Sequence, residues 1–276
     1  MNPYKPKVKA PNPEAISFIQ DILTRYNLTT VCEESACPNR GECYAKESAT
    51  FMILGDTCTR ACRFCNVKTG AGATLDASEP TRLAEAIQAL NLHYVVITSV
   101  DRDDLKDFGA THFANCVTAI KALSPQTKIE LLTPDFRANP LALQTIIHAG
   151  ADKLAHNQET VRRLSKALRP QSDYERSLKT LNFYARHTNT PVKSSLMLGL
   201  GEREEELLET MQELLDVGVS QLTLGQYLQP TPKHFPVIRY YPPETFALLK
   251  AKALEMGFTS VHAGALVRSS YQASSL

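Results

Sequence analysis

Six of the seven cysteines in this chain fall between Cys32 and Cys65, and thiols packed this densely hold metal more readily than they close loops across a large core. Cys58, Cys62 and Cys65 stand in a C-x3-C-x2-C arrangement within GDTCTRACRFC. Structural zinc takes four ligands, usually as two paired knuckles, and this loop offers an unpaired three. Ferredoxin-type clusters use four thiolates at other spacings. Three thiolates on a four-iron cube leave one iron open, which suits a cluster that binds a small molecule rather than one that only passes electrons. Upstream, Cys32, Cys37 and Cys43 form C-x4-C-x5-C in VCEESACPNRGEC. A second cluster, a zinc site completed by a distant histidine and a buried reduced patch all fit that spacing.

Such loops need a rigid frame, and the chain supplies one. From Ala49 onward, short β-branched runs alternate with longer helical patterns, the signature of parallel strands joined by crossover helices. Strands are predicted at 51–54, 94–98, 128–132, 153–156, 192–198 and 221–227, with helices near 80–90, 111–123, 140–148, 173–186, 204–217 and 243–256. Six βα units sum to a partial (β/α)6 TIM-like barrel in the α/β class, with an open doubly wound sheet as the alternative closure. The first 48 residues read as an extension, with one amphipathic stretch at 13–26 that carries Ile16, Ile19, Ile22 and Leu23 at helical spacing. The expected division is 1–48, 49–262 and a tail at 263–276. Gly199 and Gly201 give only G-x-G, and no phosphate-binding G-x-x-x-x-G-K-[ST] exists.

In parallel α/β proteins the chemistry lies beyond the carboxyl ends of the strands. The first cysteine triplet follows the first strand directly. Thr98, Ser99, Asn157 and Glu159 lie at or just past strand ends, where capping of the next helix is their ordinary role. Asp101, Asp103 and Asp104 flank Arg102, a pattern that favours local charge pairing. Cys116 shares a helix face with Phe113, Val117 and Ile120 and belongs to the core. Arg162, Arg163, Lys166 and Arg169 form a basic stripe, either a docking face for an acidic carrier domain or a solvated surface. His93, His112, His148, His187, His234 and His262 are scattered without metal spacing.

Composition narrows the class. Lys+Arg 30 against Asp+Glu 29 gives a net charge of +1 over 276 residues, so no long-range field supports wholesale binding of nucleic acid or of an anionic membrane. No apolar run approaches the roughly 18 residues of a membrane span, and the amino-terminal MNPYKPKVKAPNPE has no apolar h-region. An odd cysteine count fits a reducing compartment. A soluble, cytoplasmic protein is the expectation.

C-x3-C-x2-C after the first strand of a βα barrel resembles the radical S-adenosylmethionine superfamily, including the aromatic Phe64 before the last cysteine, which in that superfamily lies near the adenine. The combination with C-x4-C-x5-C and a terminal RSSYQA at 268–273 resembles the lipoyl synthase family. TSVDRDD at 98–104, HNQET at 156–160 and MLGLGE at 197–202 sit where that family carries its barrel-mouth segments. The resemblance implies a [4Fe–4S] cluster on Cys58, Cys62 and Cys65 that cleaves S-adenosylmethionine to a 5′-deoxyadenosyl radical. It implies an auxiliary [4Fe–4S] cluster on Cys32, Cys37 and Cys43, with Ser269 as fourth ligand and Ser270 as the fallback. Thr98, Ser99, Asn157 and Glu159 then help hold the cofactor's amino acid or ribose.

The reaction so implied inserts sulfur at C6 and C8 of an octanoyl chain on a lysine of a carrier protein, with sulfide drawn from the auxiliary cluster. The implied partners are octanoylated lipoyl-carrier domains or a glycine-cleavage H protein, a ferredoxin or flavodoxin reductant, and a cluster-repair protein, with no nucleic acid and no membrane. The alternatives are another two-cluster radical enzyme, such as a methylthiotransferase, and a two-cluster electron carrier without substrate chemistry.

Overall fold

The computed structural model describes residues 4–7, 13–45 and 49–275; the expected boundary at residue 48 and the first residues of the chain lie outside them. The described residues pack as two compact units. One comprises residues 13–45, 49–60 and 67–153; the other comprises 4–7, 61–66 and 154–275.

In the first unit, helix α1 (Pro13–Arg25) buries Ile19, Ile22 and Leu23, as its periodicity predicts. Strand β1 (Thr29–Thr30) pairs antiparallel with β2 (Thr50–Ile53), and the short helices α2 (Val31–Glu34) and α3 (Arg40–Ala45) lie between them in sequence. Next come a two-stranded ribbon, β3 (Thr57–Cys58) with β4 (Lys68–Thr69), then α4 (Glu79–Ala89), β5 (Tyr94–Ser99), α5 (Ala110–Leu123), β6 (Lys128–Leu132) and α6 (Pro140–His148). Strands β2, β5 and β6 are parallel neighbours, with Phe51 opposite Ile97 and Val96 opposite Glu130. Every residue of β2 is buried, the pattern of a parallel strand covered on both faces. Cys116 is fully buried beside Phe113 and Ile120, a core residue.

In the second unit, β7 (Lys153–Ala155, from Leu154) is followed by α7 (Arg162–Leu168), α8 (Tyr174–His187), β8 (Val192–Leu198), α9 (Glu204–Asp216), β9 (Gln221–Gln226), α10 (Pro243–Met256) and β10 (Ser260–Gly264). Their strands run parallel in the order β7, β8, β9, β10. The six predicted strands and six predicted helices all form, within a residue or two of the expected ends. β10 is additional: it runs parallel to β9 and crosses residue 262.

Helix α9 ends in a Schellman motif, with Gly218 N–H donating to Leu215 O (2.8 Å) and Val219 N–H to Leu214 O (2.9 Å). Gly218 has φ +91°, and a Cβ there would lie 2.5 Å from Ala185 Cβ on α8. Gly218→Ala is therefore expected to cost about 2 kcal/mol by combining left-handed strain with a packing clash. Urea unfolding of the variant and wild type checks this.

Candidate functional site

Two left-handed residues, Leu54 (φ 71°) and Gly55 (φ 94°), turn the chain out of β2 towards the first cysteine of the C-x3-C-x2-C loop. The turn is fixed from below: Leu54 N–H donates to Glu79 Oε2 (3.0 Å), which also lies 2.6 Å from His112 Nε2. Cys58 Sγ then accepts N–H groups from Arg60 (3.4 Å) and Asp101 (3.3 Å) and stands 3.7 Å from Asp101 Oδ2. Amides aimed at a sulfur favour the thiolate, the form in which sulfur binds metal.

Beside Cys58, Thr59 is locked to the segment after β5: its N–H and Oγ1 both donate to Asp101 O (3.0 and 2.9 Å). Arg60 is 3% exposed and carries the charge balance of this loop. It donates to both oxygens of Asp103 (2.8 Å each), to both of Asp135 (2.9 and 2.6 Å), and lies 3.2 Å from Asp101. Burial opposes its charge, but the bonds to Asp103 and Asp135 outweigh that and push its titration further up. The aspartates flanking Arg102 thus divide: Arg102 takes Asp104 (2.8 Å), while Asp101 and Asp103 face Arg60. Asp103 is part-buried, which works to raise its pKa, yet hydrogen bonds from Arg60 and Arg137 (2.7 Å) hold it at about 2.

Neither Thr98 nor Ser99 caps a helix. Thr98 Oγ1 donates to Leu132 O (2.8 Å), whereas Ser99 Oγ is buried with no hydrogen-bond partner. Helix α5 is instead capped by Asp107, whose carboxylate accepts from Gly109 and Thr111 (3.1 and 2.9 Å).

In the upstream triplet, Cys32 lies buried on α2, Cys37 N–H donates to Cys32 O (3.1 Å), and Cys43 N–H on α3 donates to Asn39 O (2.9 Å). Burial pushes the Cys32 thiol up to about 11, so metal binding there must release its proton. None of the seven cysteines forms a disulfide. Among the described residues, no three His, Cys, Asp or Glu side chains gather as ligands of a single metal ion do. The thiolates of a four-iron cluster each hold a different iron and need no such common point.

In the second unit, residues 61–66 carry Cys62 and Cys65 and are clamped from two sides. Ala61 N–H donates to Gln171 Oε1 (2.6 Å) and Arg63 N–H to Leu168 O (2.8 Å). On the other side, Phe235 N–H donates to Arg63 O (2.9 Å) and His234 Nε2 lies 3.0 Å from Cys65 O. A carbonyl only accepts, so Nε2 carries the proton and Thr231 Oγ1 (2.9 Å) faces Nδ1. The scattered-histidine reading missed this role, because spacing in sequence does not report a contact 169 residues away. Phe64 packs against Leu168, Leu200 and Tyr227, part of an apolar cluster that also takes in Met197, Phe235 and Val237.

Asn157 and Glu159 meet: Asn157 Nδ2 donates to Glu159 Oε1 (3.1 Å) and lies 3.4 Å from Ser269 Oγ. Asn157 Oδ1 is buried without a partner. The glycines of MLGLGE serve a turn: Glu202 accepts from the N–H groups of Gly199 (2.6 Å) and Leu200 (2.8 Å).

The basic stripe is consumed within the unit. Arg162 pairs with Glu175 and Glu213, Arg163 with Glu206 (2.7 Å), Lys166 donates to Pro170 O (2.9 Å), and buried Arg169 donates to Gln158 O (3.1 Å). A docking face for an acidic domain has no support in these contacts.

The Radical SAM superfamily model matches residues 52–214. The chain is 55% identical over 257 residues to the lipoyl synthase of Bordetella avium (strain 197N), covering 92% of this chain and 78% of that one. It is 53% identical over 270 residues to the lipoyl synthase of Janthinobacterium sp. (strain Marseille), covering 97% and 82%. The solved structure of methylornithine synthase superposes with a TM-score of 0.59 at 15% identity, over 90% of this chain and 84% of that one. That likeness shows the fold, a TIM-like α/β barrel of the kind expected from the alternating βα units.

The donor types fit the clusters of this superfamily, with two three-thiol sets and amides directed at Cys58 Sγ; separately, Ser99 Oγ in the first unit and Asn157 Oδ1 in the second are each buried with no hydrogen-bond partner. The charge network makes a separate prediction. Because Asp103 has a folded pKa depressed below the usual carboxylate value, its stabilisation is present above about pH 4 and is lost as pH falls towards 2. Asp103→Asn is expected to cost about 2 kcal/mol at pH 7 and little near pH 2. Denaturant unfolding of iron-free protein across that range checks it, and a pH-independent penalty contradicts it.

Proposed function

From the premise that this chain belongs to the lipoyl synthases of the radical SAM superfamily, we propose the roles of its residues in that reaction. The enzyme is a sulfurtransferase that uses S-adenosylmethionine and two [4Fe–4S] clusters to place sulfur at C6 and C8 of octanoyl groups on carrier proteins. When bound, these groups supply the one-electron cleavage of a sulfonium, the radical that removes hydrogen, and the sulfide that is transferred.

The protein's own task is to position. Cys58, Cys62 and Cys65 hold the cluster that meets S-adenosylmethionine, with Phe64 beside the adenine. Ser99, Asn157 and Glu159 offer hydrogen bonds to the cofactor's polar groups; Thr98, whose hydroxyl is engaged with Leu132 O, serves by supporting its strand end. Cys32, Cys37 and Cys43 hold the auxiliary cluster, with Ser269 as its fourth ligand. A hydroxyl is a hard, weak ligand for iron beside three thiolates, so its bond is the labile one. The apolar surface around Phe64, Met197 and Phe235 excludes water from a reactive radical.

The division into 1–48, 49–262 and 263–276 is proposed as a division of labour: auxiliary-cluster cysteines, barrel, and serine-bearing tail. The carriers proposed are lipoyl domains or a glycine-cleavage H protein, with a ferredoxin or flavodoxin as reductant and a protein that rebuilds the spent cluster. A cytoplasmic setting is proposed with them. No helix among the described residues is long and apolar enough to cross a membrane.

The observation that carries this reading is the pair of three-thiol sets in a chain 55% identical to a lipoyl synthase over 92% of its length. Cys58→Ala is expected to abolish formation of 5′-deoxyadenosine, whereas Cys32→Ala keeps cofactor cleavage and stops formation of thiolated octanoyl peptide. Anaerobic assays read by mass spectrometry separate the two, and identical outcomes contradict the assignment. Elemental analysis of reconstituted protein is expected to find about eight irons and eight sulfides per chain; one zinc with little iron overturns the cluster reading.

A further inference from the structure

Lys193 is the second residue of β8 and is completely buried. An ammonium taken out of water needs acceptors in fixed places. One of them is the Ser269 carbonyl, 2.7 Å from Nζ, so a strand of the sheet holds the backbone of the tail at that residue.

Gly225, on the adjacent β9, provides a second constraint. Its backbone does not require glycine, since its φ is not among the positive values. The space above it does: a Cβ there would lie 2.1 Å from Val267 O and 3.1 Å from the Val267 carbonyl carbon, both backbone atoms that cannot swing aside. Asn157, after β7, brings its amide to 3.4 Å from Ser269 Oγ. The tail closes on itself between these points, with Val267 N–H donating to Gly264 O and Tyr271 N–H to Arg268 O (3.0 Å each).

We propose that Lys193 and Gly225 are positioning residues that form a seat for residues 265–271, so that the Ser269 hydroxyl is held in register by the protein rather than by the metal it binds. The functional half of this proposal rests on the reading of Ser269 as cluster ligand. A weak hydroxyl–iron bond is poorly suited to order a free tail, because ordering entropy opposes it. A seat made of protein contacts removes that cost before the cluster arrives. It also keeps the serine in place after a cluster has been spent.

Hydrogen–deuterium exchange on full-length protein, reconstituted and stripped of iron, tests the seat directly. Tail amides of the stripped wild type are expected to stay protected, within about threefold of the reconstituted form. Exchange as fast as in an unstructured peptide overturns the proposal, whatever any variant does. Lys193→Met, which conserves apolar volume, and Gly225→Ala, which pushes on Val267, are each expected to speed tail exchange about tenfold or more while peptides of α8 and α9 exchange as in wild type. Unchanged tail exchange in both variants overturns it.

Mössbauer spectra after reconstitution with iron-57 test the consequence. Both variants are expected to lose about half or more of the auxiliary cluster while 5′-deoxyadenosine still forms; full retention with a loosened tail overturns the presenting role. Ser269→Ala separates the two layers: it should keep a protected tail and lose the same cluster. If its cluster and spectrum match wild type, the ligand reading falls, and the exchange data still decide the seat.

Discussion

A guanidinium withdrawn from water must be met by carboxylates in fixed positions, and Arg60 places that requirement inside the cysteine loop itself. Apolar packing alone would not hold Cys58 in the role proposed for it, because a sulfur that is to bind a ligand-accessible cluster must stay open on one side. The alternative is an ion network beneath it. Asp103 follows β5 and Asp135 follows β6, so the fork of Arg60 ties the loop to the ends of two neighbouring strands at once. Removing the Arg60 guanidinium from such a network leaves the fully buried Asp135 unanswered, at a typical cost of about 3–5 kcal/mol. Replacing the whole network with apolar side chains would cost far less. What the network supplies is therefore register more than stability.

The second unit solves the same problem mainly with hydrogen bonds to the main chain of the loop. Residues 61–66 present almost no apolar surface for the core except Phe64, and they are fixed instead by carbonyls and amides from the segments after α7 and β9. Two side chains take part, Gln171, which accepts from Ala61 N–H, and His234, which holds the Cys65 carbonyl through its Nε2. At the tail the contact is again a buried cation on a backbone carbonyl, from Lys193. In both of these places a polar side chain points at the main chain, at the Cys65 carbonyl and at the Ser269 carbonyl.

The strands and helices were legible because their signals are local. Val95, Val96 and Ile97 in β5, or Leu178, Leu181 and the following turn in α8, announce their period without reference to the rest of the chain. β10 was not, since SVHAG is short and ends in glycine. The cysteines were legible because no other residue type at that spacing does their chemistry. Arg60, Glu79, Lys193 and His234 were not, for an opposite reason. Each is an ordinary polar residue whose meaning comes from burial against a partner, and three of those partners lie 33 to 169 residues away. Of the basic stripe, Arg162, Arg163 and Lys166 are exposed, as a solvated face requires, and what the sequence did not show is that Glu213 and Glu206 on another helix pair with the two arginines.

Ionisation in this protein is consistent with a site that positions and does not transfer protons. A general acid or base is tuned towards the operating pH. Here, among the described residues, displaced carboxylates such as Asp103 and Glu206 are held at about 2, Tyr227 is raised to about 12, and Arg60 is raised further from any physiological range. Desolvation opposes the charge of both Asp103 and Arg60, and their mutual hydrogen bonds prevail in both cases. Groups locked into one charge state make good struts and poor proton carriers. That fits radical chemistry, in which the bond-breaking agent comes from the cofactor and the protein must decide only where it meets the substrate.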